Sequence, residues 1–193
     1  MSVLDYPKML FKQLFVNTKE TVLKFPEVGW TITIPRGFDL QPVDKLDSLA
    51  SQGVSALETL TGNRVNYPGK TKFSAIYELQ NAFSCDFTDL NEFSETLWQR
   101  QMDDMHNTML NALYASYKNY AHVNITTATD ARQKGNITFK TFEIIVTSMH
   151  RELDRLRYFS TVYKNTGIHI SMGFTEPAIG EKMMEALRSS TFS

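Results

Sequence analysis

The sequence predicts an α+β fold, a twisted antiparallel β-sheet meander flanked by α-helices. Three observations predict it. A long amphipathic segment runs from Phe93 to Tyr120, four strand-like runs joined by short turns follow it, and a short helix closes the chain near Phe192. At 193 residues the chain can bury a substantial core as one domain. No repeat, low-complexity tract or linker divides it, so residues 1–193 read as a single unit, with 1–18 a helical N-terminal extension.

The elements follow in order. Pro7 opens the extension, where Leu10 and Leu14, and Phe11 and Phe15, recur at i,i+4. Thr21 to Phe25 and Trp30 to Ile34 form a hairpin about Pro26-Glu27-Val28-Gly29, with Trp30, Ile32 and Ile34 on one face. Leu46, Leu49, Ala50, Gly53, Val54, Leu57 and Leu60 mark a helix stripe, with Asp44 as its N-cap and Gly62 as its stop. Asn63 to Lys72 reads as a loop. Phe73, Ala75, Tyr77 and Leu79, then Phe83, Cys85 and Phe87, alternate with polar neighbours, as two strands around Gln80-Asn81 or one long strand bulged there.

The long helix starts near Asn91, with Glu92 and Glu95 in its first turn, where negative charge complements the helix dipole. Trp98, Met102, Met105, Met109, Leu113 and Tyr117 form its apolar stripe, extended by Phe93 and Leu97. Strands are expected at Val123 to Ala128, Ile137 to Met149, Leu156 to Tyr163 and Ile168 to Phe174. Their turns fall at Gln133 to Asn136, near Glu152 to Asp154, and at Asn165-Thr166-Gly167. Pro177 starts the closing helix, with Ile179, Met183, Ala186 and Leu187 facing inward.

These runs carry a resemblance. The entry Trp30-Thr-Ile-Thr-Ile-Pro-Arg-Gly-Phe38, the Asn81-Ala-Phe-Ser-Cys-Asp-Phe87 strand and the pair Tyr158 to Tyr163 and Ile168 to Phe174 resemble the PsbP-like superfamily. So does the closing Met183 to Phe192. That superfamily groups photosystem PsbP proteins, the yeast Ran-binding Mog protein and bacterial DcrB-type domains. The resemblance implies the fold and a bias toward non-catalytic binding roles, including chaperones of secreted effectors in some bacterial branches. It implies no site residue, because no branch's binding motif can be placed on this chain.

Chemistry-bearing residues are sparse. His106, His122, His150 and His169 make no His-x-x-x-His or His-x-His pair that would seed a metal site. His106 and Asp103, at i,i+3, are expected to share a surface hydrogen bond, while the adjacent Asp104 points elsewhere. Cys85, the single cysteine, precludes an intrachain disulfide and falls on the apolar face of its strand, as a small buried hydrophobe. The nine glycines form neither a Gly-x-Gly-x-x-Gly nor a P-loop, and no nucleophile elbow is present. Asn124-Ile-Thr and Asn136-Ile-Thr match the glycosylation pattern by chance. Glu143 is expected on the solvent face of its strand, opposite Phe142 and Ile144.

No cofactor, metal or catalytic residue is therefore expected. A formal charge of −1 supplies no field for nucleic acid or an anionic membrane, and no run is long enough to span a bilayer. The N-terminus lacks a signal-peptide core, so the expected location is the cytoplasm, or outside it if a leader precedes Met1. The function expected is a non-enzymatic protein-interaction module. Its contact arms are Arg151, Arg155 and Arg157, on a charged hairpin tip spanning His150 to Arg157. The alternative is a carrier or chaperone whose Met-rich helix holds an apolar ligand or hydrophobic peptide. A hydrolase would need several of His106, Asp103, Glu143 and His169 to converge in one cleft.

Overall fold

A computed structural model describes residues 18–193 apart from 63, 66, 79, 92, 93, 121 and 150. The expected helical extension from Pro7 lies outside the described residues. The elements are β1 (Thr21–Phe25), β2 (Trp30–Ile34), β3 (Asp39–Leu40), α1 (Val43–Thr61), β4 (Lys70–Tyr77), β5 (Asn81–Asp89) and α2 (Glu95–Tyr117). They continue as β6 (Val123–Lys134), β7 (Ile137–Ser148), β8 (Arg151–Tyr163), β9 (Thr166–Phe174), α3 (Pro177–Ser189) and β10 (Thr191–Phe192). The antiparallel α+β architecture is as expected.

Seven strands form one sheet in the order β3-β4-β5-β9-β8-β7-β6, and β1-β2-β10 form a second. Alternation decides which side chains meet. Phe83, Cys85 and Phe87 of β5 and Ile168, Ile170 and Met172 of β9 point to one face, onto Trp30, Ile32 and Ile34 of the small sheet and Ile179 and Met183 of α3. Trp30 stacks on Phe192 at 5.5 Å and 6°, which fastens the C-terminal strand to the hairpin. The opposite face of the large sheet lies under α1 and α2. Ser94 caps α2 by accepting from the Leu97 amide, so the helix starts four residues later than Asn91 would have it.

Several boundaries differ from the sequence reading for identifiable reasons. Asp44 is not a cap: α1 begins at Val43 after Pro42 and makes no side-chain cap bond, while Gly62 does end it at φ 70°. Leu60 and Leu97 are exposed at 43% each, off the stripes assigned to them. β6 runs on to Lys134 because its backbone pairs with β7 along its whole length, although its exposed faces show no hydrophobic alternation. β7 ends at Ser148 and β8 begins at Arg151, with Met149 at φ 49°, so Glu152 to Asp154 belong to a strand and not to the turn. The charged run is a strand because its arginines have cross-strand partners: Arg157 lies opposite Glu143. The β8–β9 turn is Lys164-Asn165, both at positive φ, the geometry that suits a two-residue hairpin.

Gly180 illustrates how closely α3 sits on the sheet. A Cβ there would fall well inside van der Waals contact of the Phe174 ring, which is itself buried. Alanine improves helix propensity by about 1 kcal/mol over glycine. Overpacking a tight core costs about 1–3 kcal/mol, and the rigid ring at the contact puts this site at the upper end. Gly180→Ala is expected to destabilise by about 1–2 kcal/mol on balance. The midpoint of urea unfolding should fall with an unchanged slope; a raised midpoint would show that Phe174 can move aside.

Candidate functional site

The strand register assembles a polar row across the face that carries α2. Asp86 of β5 lies beside His169 of β9, His169 beside Ser160 of β8, and Ser160 beside Lys140 of β7. Each belongs to the set of its strand that points away from the main core. Asp86, His169 and Ser160 are buried. The next row holds Ser84 and Ser171, whose hydroxyls meet at 2.7 Å.

His106 descends from α2 onto this row. It is 5% exposed, and its Nε2 stands 3.3 Å from Nε2 of His169. Its imidazole packs over the neighbouring rings of Phe142 and Tyr158, at ring-centroid distances of 4.8 and 4.7 Å. On its other side His169 Nδ1 meets the Tyr67 hydroxyl at 3.2 Å and Asp86 Oδ2 at 3.8 Å. Asp86 Oδ1 accepts from the Thr71 hydroxyl at 2.6 Å. The tautomer with Nδ1–H toward Tyr67 and Asp86 sets a proton, not a lone pair, beside the carboxylate. Electrostatics favours it, and it leaves the His169 Nε2 lone pair facing His106.

Burial governs the protonation states. It lowers the His106 pKa from 6.5 to about 3, with help from His169 and Lys140, so this imidazole is neutral at physiological pH. Burial, then the Asp86 charge, pushes the Tyr67 phenol well above its ordinary value. Burial likewise pushes up the Cys85 thiol, which points to the opposite face among the core aromatics and is no nucleophile.

Two apolar cavities flank the cluster and share Tyr67, Asp86 and Met105. One, of about 220 Å³, lies under α1 and is lined by Leu46, Ala50, Val54 and Leu57. The other, of about 260 Å³, is lined by Met105, His106, Met109, Tyr158 and His169 and reaches the surface at Ala82. The Met-rich face of α2 is thus only partly covered by the sheet.

The expected contact of His106 with Asp103 does not form. His106 turns inward, and Asp103 pairs on the surface with Lys140 at 2.7 Å. Of the four residues several of which a hydrolase would have needed in one cleft, His106 and His169 converge, and Asp103 and Glu143 lie elsewhere. Glu143 lies on the opposite face of the sheet, half-buried and paired with Arg155 and Arg157. Arg155 also holds Glu152 at 2.6 Å. Arg155 and Arg157 therefore lie along β8 rather than on a hairpin tip, and Arg151 is exposed beside the turn. Tyr67 and Asp86 had no signal of their own in the sequence. Asp86 could have been noticed as the carboxylate amid an apolar strand, but its neighbour is set by a register with a strand more than eighty residues away.

No family model matches the chain, and no curated protein matches it. Among solved structures, the solution structure of cyanobacterial PsbP (CyanoP) from Synechocystis sp. PCC 6803 is similar over 91% of this chain and 94% of that one, with a TM-score of 0.54. The chain has the PsbP-like fold. At 10% identity the likeness extends to the architecture and to no individual side chain. Within this PsbP-like fold the buried histidine pair is a property of the chain's own residues. No helix among the described residues is long and apolar enough to cross a membrane.

Proposed function

We propose that the chain is a non-enzymatic protein-interaction module whose contact surface is the β6–β8 end of the large sheet. The observation that carries this reading is β6 itself. Nine of its twelve residues are exposed, and among the described residues no strand pairs with its outer edge. A long bare edge is a hazard that proteins usually blunt, and it suits the addition of an extended segment from a partner. Met149 and Leu153 add exposed apolar surface beside it, at 74% and 36%. Arg151, Arg155 and Arg157 are the recognition arms of this proposal, with Arg155 and Arg157 held in place by Glu143 and Glu152. As part of the same reading we infer that the chain falls within the bacterial DcrB-type branch of that superfamily.

The geometry of an edge strand supplies a sharp test. Alternate amides of β6 point toward β7 and away from it, so one of Thr126→Pro and Thr127→Pro removes an outward donor and spares the ladder. That variant should stay folded yet lose the partner captured by the wild-type chain from host lysate, as should the variant with Arg151, Arg155 and Arg157 all changed to Ala. A partner retained by both variants places the contact elsewhere.

A second reading rests on the cavity under α1, whose apolar lining and polar floor suit a carrier of a small apolar ligand. Native mass spectrometry of the chain purified from its host would show such a ligand as a discrete added mass.

A further inference from the structure

We propose that His106, His169 and Met109 form a binding site for a soft monovalent metal ion, copper(I) by chemical class. Two imidazole nitrogens bound to one metal at about 2.0 Å stand roughly 3.3–3.5 Å apart at tetrahedral to trigonal angles. The two Nε2 atoms stand at 3.3 Å, long for a direct hydrogen bond between them and matched to that edge. The third ligand comes from the helix. Met109 is three residues after His106, on the same face of α2, and both line the cavity that contains His169.

The outer shell is already in place. Metal-bound histidines typically give their other nitrogen to a carboxylate or similar acceptor, which fixes the ring. His169 Nδ1 has Tyr67 at 3.2 Å and Asp86 at 3.8 Å, and Asp86 is held by Thr71.

Charge decides between metals. The inner ligands are neutral, since Asp86 is spent on the far side of His169, and the neighbouring cation Lys140 is balanced by Asp103. Among the described residues no three of His, Cys, Asp and Glu gather as a hard or borderline divalent site would need. A divalent ion would bring two uncompensated charges into an apolar cavity, whereas a monovalent one brings a single charge and prefers imidazole and thioether.

The test uses the full chain under anaerobic conditions. Copper(I) is titrated in competition with bicinchoninate, and silver(I) and zinc(II) are run separately. One equivalent of copper(I) per chain is expected, with silver(I) competing for it and zinc(II) bound at least about 100-fold more weakly. His169→Gln and His106→Gln should each weaken binding by about 100-fold or more. Tyr67→Phe should weaken it by about 10-fold through the outer shell. Met109→Leu keeps volume and packing and should cost about 10-fold while removing sulfur from the X-ray absorption spectrum of the bound metal. Circular dichroism of each variant confirms that the fold is intact. Absence of stoichiometric copper(I), binding unchanged in Met109→Leu and His169→Gln, or preference for zinc(II) would each overturn the assignment.

Discussion

Trp98→Ala is expected to lower stability by about 3–5 kcal/mol, among the largest effects of any single side-chain truncation in this chain. Trp98 is fully buried between α2 and the sheet, where it packs with Leu90 and Met102. Its indole N–H donates to the Thr88 hydroxyl at 3.2 Å. The ring lies on the backbone of Gly167, so closely that a Cβ there would come within 2.5 Å of it. One side chain thus fixes the N-terminal half of α2 to both β5 and β9, and His106 lies two turns further along the same helix. A loss of this size would lower the melting temperature by about 6–20 °C in a chain of this length.

A double-mutant cycle tests the geometry rather than the area. Gly167→Ala alone should cost about 1–3 kcal/mol, because the methyl meets the indole. In the Trp98→Ala background the same methyl enters vacated space, and its cost should nearly vanish. The expected coupling is therefore about 1–3 kcal/mol, where distant sites add to within about 0.5 kcal/mol. Additive costs in urea unfolding would show that Trp98 does not sit on Gly167 in solution.

What the sequence made legible follows from which forces act locally. The hairpin of Trp30, Ile32 and Ile34, the strand of Phe83, Cys85 and Phe87 and the closing helix after Pro177 each bury one face. Their periodicity therefore recorded their structure. β6 buries almost nothing, so its length was written only in its pairing with β7. The run Arg151 to Arg157 looked like a turn because charge density is a usual mark of solvent exposure. It is a strand because Glu143 supplies a partner across the ladder. The histidine cluster was invisible for a related reason. His106 and His169 are sixty-three residues apart and meet only through the docking of α2. His169 alternates with Ile168 and Ile170 on its strand, so the apolar period of that strand carries no mark of the second layer that buries the histidine. Sequence spacing detects sites built on one element; this one is built on three.

Acid titration should expose the cost of keeping His106 neutral. Its pKa is about 3 when folded and 6.5 in its ordinary state, so between those values the unfolded chain takes up a proton that the folded chain refuses. Stability therefore falls as pH drops through this window, by up to about 1.4 kcal/mol per unit. Asp154 acts in the opposite sense. Burial raises it from 3.8 to about 6, so the folded chain holds a proton that the unfolded chain releases, and stability is regained as pH falls from 6 to 3.8. The two slopes nearly cancel there, and the wild-type profile should be close to flat between pH 6 and 4. The exposed Glu27–Lys72 pair adds little. Removing either group tilts the line. His106→Gln should gain stability on going from pH 6 to 4, by about 2–3 kcal/mol relative to its own value at pH 6. Asp154→Asn should be more stable than wild type at pH 7 and should then lose about 2–3 kcal/mol over the same acid range. Urea midpoints at half-unit intervals of pH distinguish these slopes. Parallel profiles for the two variants would mean that neither group is buried as the structure has it.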